Sequence, residues 1–421
     1  MSAYACEPNK GSEPGIGWRW ALETAKLGHE VWVITRINNR EPITRALSQH
    51  GKPKNLHFIY YDLPVWVRWW KRGPFGVHLY YILWQWGAYK RASQLHAEQQ
   101  FHAVHHITFG VTRHPSLMGR LGIPFIVGPM GGGERAPIAL RQYCSLGGKI
   151  KDGLRDLINA LVKLDPWLHQ MYNQAALILL KTPESMAWLP ERYHSKAVCI
   201  LEVGIDERVI QPTPEKPPSP RGHTLNVLYV GRFIYWKGMD LGLRAVANLR
   251  TRQLPVRLTM IGQGPDRSRW QLLAAKLKLA SCATWAPWMQ QQDLLNAYKT
   301  FDVLLFPSLH DSSGNVLLEA MASGLPVICL DLGGPAQIVN NSCGRSVEVK
   351  NLNADQVVEA LADALTELAT DTKLIANLRQ GALQRAKAFN WQYVVGQVWG
   401  ANGVGYQAVI SHATESQYVT A

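Results

Sequence analysis

Two stretches in the second half of the chain bring cations, carboxylates and glycines together at the ends of strand-like runs. The first is Gly231-Arg232-Phe233-Ile234-Tyr235-Trp236-Lys237-Gly238, which sets two cations just past the apolar run 226–230. Arg232 offers a planar fork of donors and Lys237 a point charge, and the two can converge on one diphosphate. Two solvated loop cations would read the same way, so this pair does not decide the matter by itself. The second stretch, 310–328, opens with His310-Asp311-Ser312-Ser313-Gly314-Asn315-Val316 and runs on through Glu319. A polar, glycine-containing turn here enters a short helix, so the free N–H groups around Gly314, Asn315 and Val316 form a ready anion site. Asp311 lies on the turn and Glu319 inside the helix. Carboxylates at such different depths suit the hydroxyls of two sugars better than shared metal binding, because ionised acceptors make the stronger hydrogen bonds. The flanks of Glu319, Leu317-Leu318 and Ala320-Met321-Ala322, argue against a plain solvated carboxylate, since a buried unpaired Glu is costly.

The elements that would position these groups follow from the apolar pattern. In the second half, 226–230, 257–261, 303–306 and 326–330 read as strands, and 239–250 and 316–322 as helices. Gly231, Gly262, Ser308 and Gly333 follow the strand tips. Strands alternating with helices imply a parallel sheet covered on both faces, whose ligands bind at the carboxyl ends. The first half also reads as α/β. A Gly-rich loop holding Gly11, Gly15 and Gly17 leads into a helix over 18–27, and 31–34, 103–107, 124–127 and 177–180 read as strands. The five prolines of 212–220 mark a linker. The expected division is an N-terminal domain over 1–205, a linker over 206–225, a C-terminal domain over 226–400 and a tail over 401–421.

A chain of 421 residues with 47% apolar composition suits two globular domains. The net charge of +13 favours an anionic partner, whether nucleic acid, anionic lipid or a phosphorylated small molecule. The basic residues are spread along the whole chain, which argues against a dedicated nucleic-acid face. Six scattered cysteines form no CxxC pair, so neither a zinc site nor a disulfide framework is suggested, and a reduced, cytoplasmic setting fits. No run reaches the roughly 20 apolar residues that span a bilayer, and no signal-peptide pattern stands at the start. A polar, Gly-rich segment arrives by Lys10-Gly11, where an α/β domain would have completed a first strand, so the chain reads as one that begins late.

Arg232 with Lys237, the turn Gly262-Gln263-Gly264-Pro265 and the block 311–328 together resemble the retaining family 4 glycosyltransferases of the GT-B fold, with two Rossmann-like domains facing each other across a cleft. The segment Ala3-Tyr4-Ala5-Cys6-Glu7-Pro8, with Gly11-Ser12-Glu13-Pro14-Gly15-Ile16-Gly17-Trp18, looks like the start of one bacterial branch of that family. The resemblance runs from about residue 2 to about residue 391. It implies that Arg232 and Lys237 hold the diphosphate of a nucleotide-sugar donor and that Glu319 accepts from the ribose hydroxyls. The backbone at Gly262, Gly314, Asn315 and Val316 would line the donor, and Gly15 and Gly17 would close on the diphosphate. Asp311 matches the first of the family's two acids with seven residues between them, which approaches the donor sugar; the family usually has Glu there, so this side chain is one methylene short. The family's histidine near an N-domain strand tip corresponds to His106 ahead of His105, with His114 a further candidate. The turn ending in Glu134 would shape the acceptor side.

The implied activity is sugar transfer with retention to a glycan or lipid-linked acceptor. No Asp-x-Asp motif occurs, so no metal and no cofactor beyond the donor is expected. The two cations and the helix N-terminus would stabilise the leaving group. Other readings are a nucleotide-sugar epimerase or hydrolase on the same fold, an inactive transferase, and a nucleic-acid-binding protein. The segment 63–91 interleaves Trp66, Trp69, Trp70, Trp84 and Trp86 with Arg68, Lys71, Arg72, Lys90 and Arg91, and holds Tyr80 and Tyr81. Such a mixture suits either an anionic membrane surface on the inner face of the cell membrane or a packed helical excursion.

Overall fold

The computed structural model describes residues 1–68, 73–210 and 224–419. Its contacts divide into two compact units. One comprises Met1–Gly133, Ile158–Val203 and Trp391–Ala421; the other comprises Glu134–Leu157 and Gly204–Asn390. Two segments therefore leave the linear order expected of them. Residues 134–157 join the second unit, where Asp152 accepts from the Tyr235 hydroxyl at 2.7 Å. Residues from 391 onward join the first unit, where helix Trp391–Trp399 packs on helix Ser12–Lys26 and helix Val404–Val419 packs on the strand Ala175–Leu180. Most of the linker, 211–223, lies outside the described residues.

Among the described residues the first unit holds six strands: β1 (Val31–Thr35), β2 (Leu56–Tyr60), β3 (Val104–His106), β4 (Phe125–Met130), β5 (Ala175–Leu180) and β6 (Ala197–Cys199). All pairings are parallel, β1 with β2 and β3 through β6 in order. Ser2 bridges the two groups, pairing with Ile34 on one side and His106 on the other. Helix Ser12–Lys26 starts earlier than its apolar pattern suggests, so Gly15 and Gly17 lie inside its first turns. Their place there is a matter of space: a Cβ on Gly15 would sit 2.1 Å from the Lys10 carbonyl oxygen, and one on Gly17 would sit 2.2 Å from that of Ala5. The helix trades propensity for close contact with the segment before it.

The second unit holds β7 (Leu225–Val230), β8 (Val256–Ile261), β9 (Ala283–Ala286), β10 (Val303–Phe306), β11 (Val327–Leu330) and β12 (Gly344–Val347), all parallel, in the order β12-β11-β10-β7-β8-β9. Read from β9, this is the doubly wound order 3-2-1-4-5-6, which reverses between β7 and β10. Every residue of β10 and β11 is buried, as strands covered on both faces must be. The α/β class with two parallel-sheet units is thus as the sequence implies. β2, β6, β9 and β12 carry weaker patterns; β9 reads only Ala-Thr-Trp-Ala and is an edge strand.

Part of the segment 63–91 is packed: Tyr80, Tyr81 and Trp84 of helix Gly73–Gln99 lie in the core of the first unit. Trp66 and Trp86 are exposed; Trp69, Trp70, Lys71 and Arg72 lie outside the described residues. No described helix is long and apolar enough to cross a membrane.

The turns after β7 and β8 meet backbone to backbone. Gly262 has φ +146°, and a Cβ on it would sit 1.9 Å from the Gly231 carbonyl oxygen. Gly262→Ala should therefore destabilise the second unit by about 2 kcal/mol, the scale of one strained backbone position, and lower its unfolding midpoint by several degrees in calorimetry. An unchanged midpoint would mean the two turns can separate at no cost.

Candidate functional site

The loops after β7 and β10 flank the point where the strand order reverses, which is where doubly wound sheets open a crevice for ligands. The β7 loop is tied to its neighbours by main-chain bonds. The Phe233 amide donates to Gln263 O at 2.8 Å, and the Asp266 amide to Phe233 O at 3.0 Å. On the other side the Leu309 amide donates to Trp236 O at 2.8 Å, and Gly238, at φ +68°, packs so that a Cβ would lie 1.9 Å from Pro307 O. The Gly334 amide then donates to Asp311 O at 2.8 Å. The structure thereby brings together Arg232, Lys237, Gly262, Asp311 and the start of helix Asn315–Ala322.

Within this frame the side chains differ in freedom. Arg232 is exposed, and its guanidinium makes no hydrogen bond or ion pair among the described residues. Its carbonyl accepts from the Tyr229 hydroxyl at 3.0 Å, which fixes the backbone while leaving the side chain loose. Lys237 is held: its ammonium lies 2.7 Å from Asp311 Oδ2 and 4.8 Å from the centre of the Phe306 ring. Helix Asn315–Ala322 has no side-chain cap, and Leu317 and Leu318 are the first residues whose amides turn back to Gly314 O. The amides of Asn315 and Val316 stay outside the helical ladder. A Cβ on Gly314 would lie 2.3 Å from Ile338 Cδ1, so any side chain there displaces the end of Ile338. Glu319 accepts from Gln291 Nε2 at 2.8 Å.

The sequence did not announce the support beneath this loop. Segment 134–157 brings Arg141, Asp152 and Arg155 to it. Arg155 Nη1 lies 2.7 Å from His310 Nδ1; arginine only donates, so that nitrogen accepts and the ring proton sits on Nε2, which faces Asp152 at 3.7 Å. The His310 ring stacks on Trp236 with centroids 5.4 Å apart. Burial pushes the Asp152 carboxyl up, but the proximity of His310, the hydrogen bond from the Tyr235 hydroxyl and the nearby Arg141 outweigh it and hold the group below its usual range. Glu134 is buried in the same unit, its Cγ 3.6 Å from where a Cβ on Gly333 would stand.

In the first unit both candidate histidines belong to the core. The Trp399 indole N–H donates to His105 Nδ1 at 3.1 Å, which leaves Nε2–H to donate to Gly128 O at 2.8 Å. Gln85 donates to the Tyr81 hydroxyl, which faces His106 Nε2 at 2.9 Å, and His106 Nδ1 faces Ser2 Oγ at 3.0 Å. Burial lowers both rings to about 3, so both are neutral near pH 7. Neither presents a free nitrogen, in contrast with the strand-tip base the resemblance implies. His114 is partly open and stacks near His78 at 4.6 Å, with burial lowering it to about 4. Gly15 and Gly17 are buried in their helix; the exposed backbone at that turn belongs to Asn9, Lys10, Gly11 and Ser12. Glu13, passed over in the same motif, accepts from the Phe109 amide at 2.5 Å, and burial raises its carboxyl. Near it, Lys181 pairs with the buried Glu202 at 2.7 Å.

Burial also raises Glu319, with the Gln291 hydrogen bond opposing. A folded-state value above the unfolded one means that ionisation costs stability. That cost is absent below the unfolded value of about 4.3 and fully present above the folded value. Glu319→Gln should therefore be more stable than the parent near pH 7 and show no gain near pH 3.5, by urea unfolding at both pH values. A variant destabilised at pH 7 would show that the fold itself uses the charge.

Residues 214–381 match the family model described as glycosyl transferases group 1. A D-inositol 3-phosphate glycosyltransferase from Stackebrandtia nassauensis is 30% identical over 223 residues, covering 50% of this chain and 49% of that protein. One from Rhodococcus erythropolis is 32% identical over 174 residues, covering 40% and 38%. The chain thus spans about half or less of these relatives' length. Among solved structures, the lipopolysaccharide outer core galactosyltransferase WaaB matches with TM-score 0.61 at 13% identity, over 98% of both chains. A sucrose-phosphate synthase from Thermosynechococcus elongatus matches with TM-score 0.58 at 17% identity, over 100% of this chain and 97% of that one. These likenesses carry the fold, the GT-B class expected from the sequence. The stretch that matches the group 1 glycosyl transferases, residues 214–381, is the one where the cations, the helix N-terminus and both acids lie.

Proposed function

We propose that the protein transfers a sugar from a nucleotide-diphosphate-sugar to a hydroxyl of a glycan or lipid-linked acceptor, with retention of configuration and without a metal. The observation that carries this reading is the convergence, at the reversal point of the second sheet, of one unpaired guanidinium, one ammonium and an uncapped helix N-terminus. The family model matched by residues 214–381 and the glycosyltransferase names of the relatives support it.

Arg232 and Lys237 bind the diphosphate, with the Asn315 and Val316 amides adding two donors aimed at its oxygens. The Gly262 turn gives the backbone close approach, and Glu319 accepts from the ribose hydroxyls. Lys237 exchanges Asp311 for a phosphate oxygen, and Asp311, released, accepts from a sugar hydroxyl. The acceptor oxygen then attacks the anomeric carbon from the face the diphosphate leaves. The bond from that carbon to the phosphate oxygen breaks, the new glycosidic bond forms, and the acceptor's proton passes to the departing phosphate oxygen. Charge on that oxygen is met by fixed donors, which stabilise it without reorganisation. The route asks no proton transfer of His105 or His106. A metal-free mechanism is supported by the two cations and the lack of an Asp-x-Asp pair in the sequence.

A thermal-shift screen against a panel of nucleotide-sugars tests the reading, since a ligand of the native state raises the midpoint. With the donor so found, Arg232→Ala and Lys237→Ala should each weaken calorimetric affinity by about 10- to 100-fold, the loss of one charge-assisted contact of roughly 1.5–3 kcal/mol. No stabilisation by any nucleotide-sugar, or unchanged affinity in both variants, would remove the diphosphate assignment. Release of free sugar or an epimer without acceptor would favour the hydrolase or epimerase reading. Asp311→Glu tests the shorter acid: the longer side chain should crowd the sugar and lower the transfer rate. A clear gain in rate would mark Asp311 as an impairment.

A further inference from the structure

The sheet of the first unit opens in its middle. β1 pairs with β2 and β3 with β4, and residues 1–3 join the two groups by running parallel to both. The Ser2 amide donates to His105 O at 2.8 Å and the Ala3 amide to Ile34 O at 3.0 Å. The Ile34 amide donates back to Met1 O at 2.9 Å, and the Ile107 amide to Ser2 O at 3.1 Å. Beyond Met1, between the amino ends of β1 and β3, lies a cavity of about 640 Å³. Residues of this unit alone line it, among them Val31, Trp32, Leu95, Val104, Met118 and Ile410.

Two of its walls are strand edges. The Val31 amide donates to Asn55 O, and Thr35 O accepts from the Tyr61 amide, so the odd-numbered residues of β1 serve β2. The Val104 amide donates to Pro124 O, so the even-numbered residues of β3 serve β4. By the alternation of a parallel ladder, the N–H groups of Trp32 and His105 face the cavity from opposite sides, with no strand partner among the described residues. The cavity also reaches both faces of the sheet. Val104 lies in the core with Leu95 and Met118, whereas His105, its neighbour on the strand and so turned to the other face, accepts from the Trp399 indole.

The second unit shows what such a position holds. Its first strand, β7, has six residues and stands between β8 and β10. In the first unit the corresponding place, between β1 and β3, carries only residues 1–3. Ser2 stands opposite Ile34 and His106. His29 and Phe101, which also line the cavity, lie five positions before these, and Met1 fills one of the five, which leaves room for four. The Met1 amine already makes the first bond of such a strand, to Trp32 O at 2.6 Å, and burial lowers it to about 5. A peptide N–H makes the same bond with no charge to desolvate.

We propose that this cavity is a strand-acceptor site. It takes an extended apolar segment of about four residues, parallel to β1 and β3 and continuous with residues 1–3. The segment's carbonyls accept from the Trp32 and His105 amides, and its side chains alternate between the two faces, apolar on both as in a covered parallel sheet. The site lies at the amino ends of β1 and β3, away from the strand tips where ligands of such sheets bind. It therefore stands whether or not the protein transfers sugar.

Four residues joined to the Met1 amine of the full chain test it, as Val-Leu-Ile-Val, Val-Leu-Pro-Val or Ser-Gly-Ser-Gly. Proline at the third place offers no N–H to the β1 side and does not sit in a central strand. Amide hydrogen exchange, read on the fragments that hold Trp32 and His105, should slow by about tenfold or more in the first chain against the other two. Its unfolding midpoint should also exceed theirs by several degrees. Equal exchange at Trp32 and His105 in all three chains would overturn the proposal. So would protection in the proline chain equal to that in the first, which would make the cavity a pocket for apolar side chains without strand pairing.

Discussion

The candidate site depends on main chain approaching main chain. At Gly262 against Gly231, Gly238 against Pro307 and Gly333 against Asp311, an added Cβ would stand 1.9 to 2.1 Å from a carbonyl oxygen. Four strand-tip loops, after β7, β8, β10 and β11, are locked to one another through positions that admit no side chain. Each of these glycines also has positive φ, at +146°, +68° and +60°, so conformation and space make the same demand. A site assembled this way is rigid before any ligand arrives, and fixed donors help catalysis because they need not reorganise during the reaction.

On that frame, the charges are arranged so that a binding group is either free or reversibly occupied. Arg232 carries no partner among the described residues, whereas Lys237 holds Asp311. The ion pair keeps the ammonium in place at a partly exposed position, where such a pair contributes little net stability and is easily exchanged. Beneath it, Arg155, His310 and Asp152 settle which nitrogen of His310 accepts, and with Trp236 they fix the ring. The chain thus supports its short acid from a segment that lies far away in sequence.

The first unit shows how composition misleads about exposure. Aromatic and basic residues interleave in 63–91, yet several of those aromatics are spent inside the unit. In helix Gly73–Gln99 the tyrosines and Trp84 are consumed by the core and by hydrogen bonds such as Trp84 Nε1 to Tyr61 O. His105 and His106 follow the same logic: two adjacent histidines on a buried strand are satisfied by Trp399, Gly128, Tyr81 and Ser2.

The sequence by itself determined the parallel α/β class and the second-half strand tips, because buried strands read as continuous apolar runs and glycine follows where chains turn sharply. It also pointed to two local groups, Arg232 with Lys237 and Asp311 with Glu319 and the Gly314 helix start, because within each the spacing is short; that Lys237 meets Asp311, 74 positions on, is a tertiary fact. Only the tertiary structure decided what lies hundreds of positions away in sequence: Trp399 on His105, and Arg155 and Asp152 on His310. It alone decided that Gly15 and Gly17 are helix-packing residues. Periodicity records that a face is apolar; what covers that face depends on the packing of elements whose contacts no local pattern encodes.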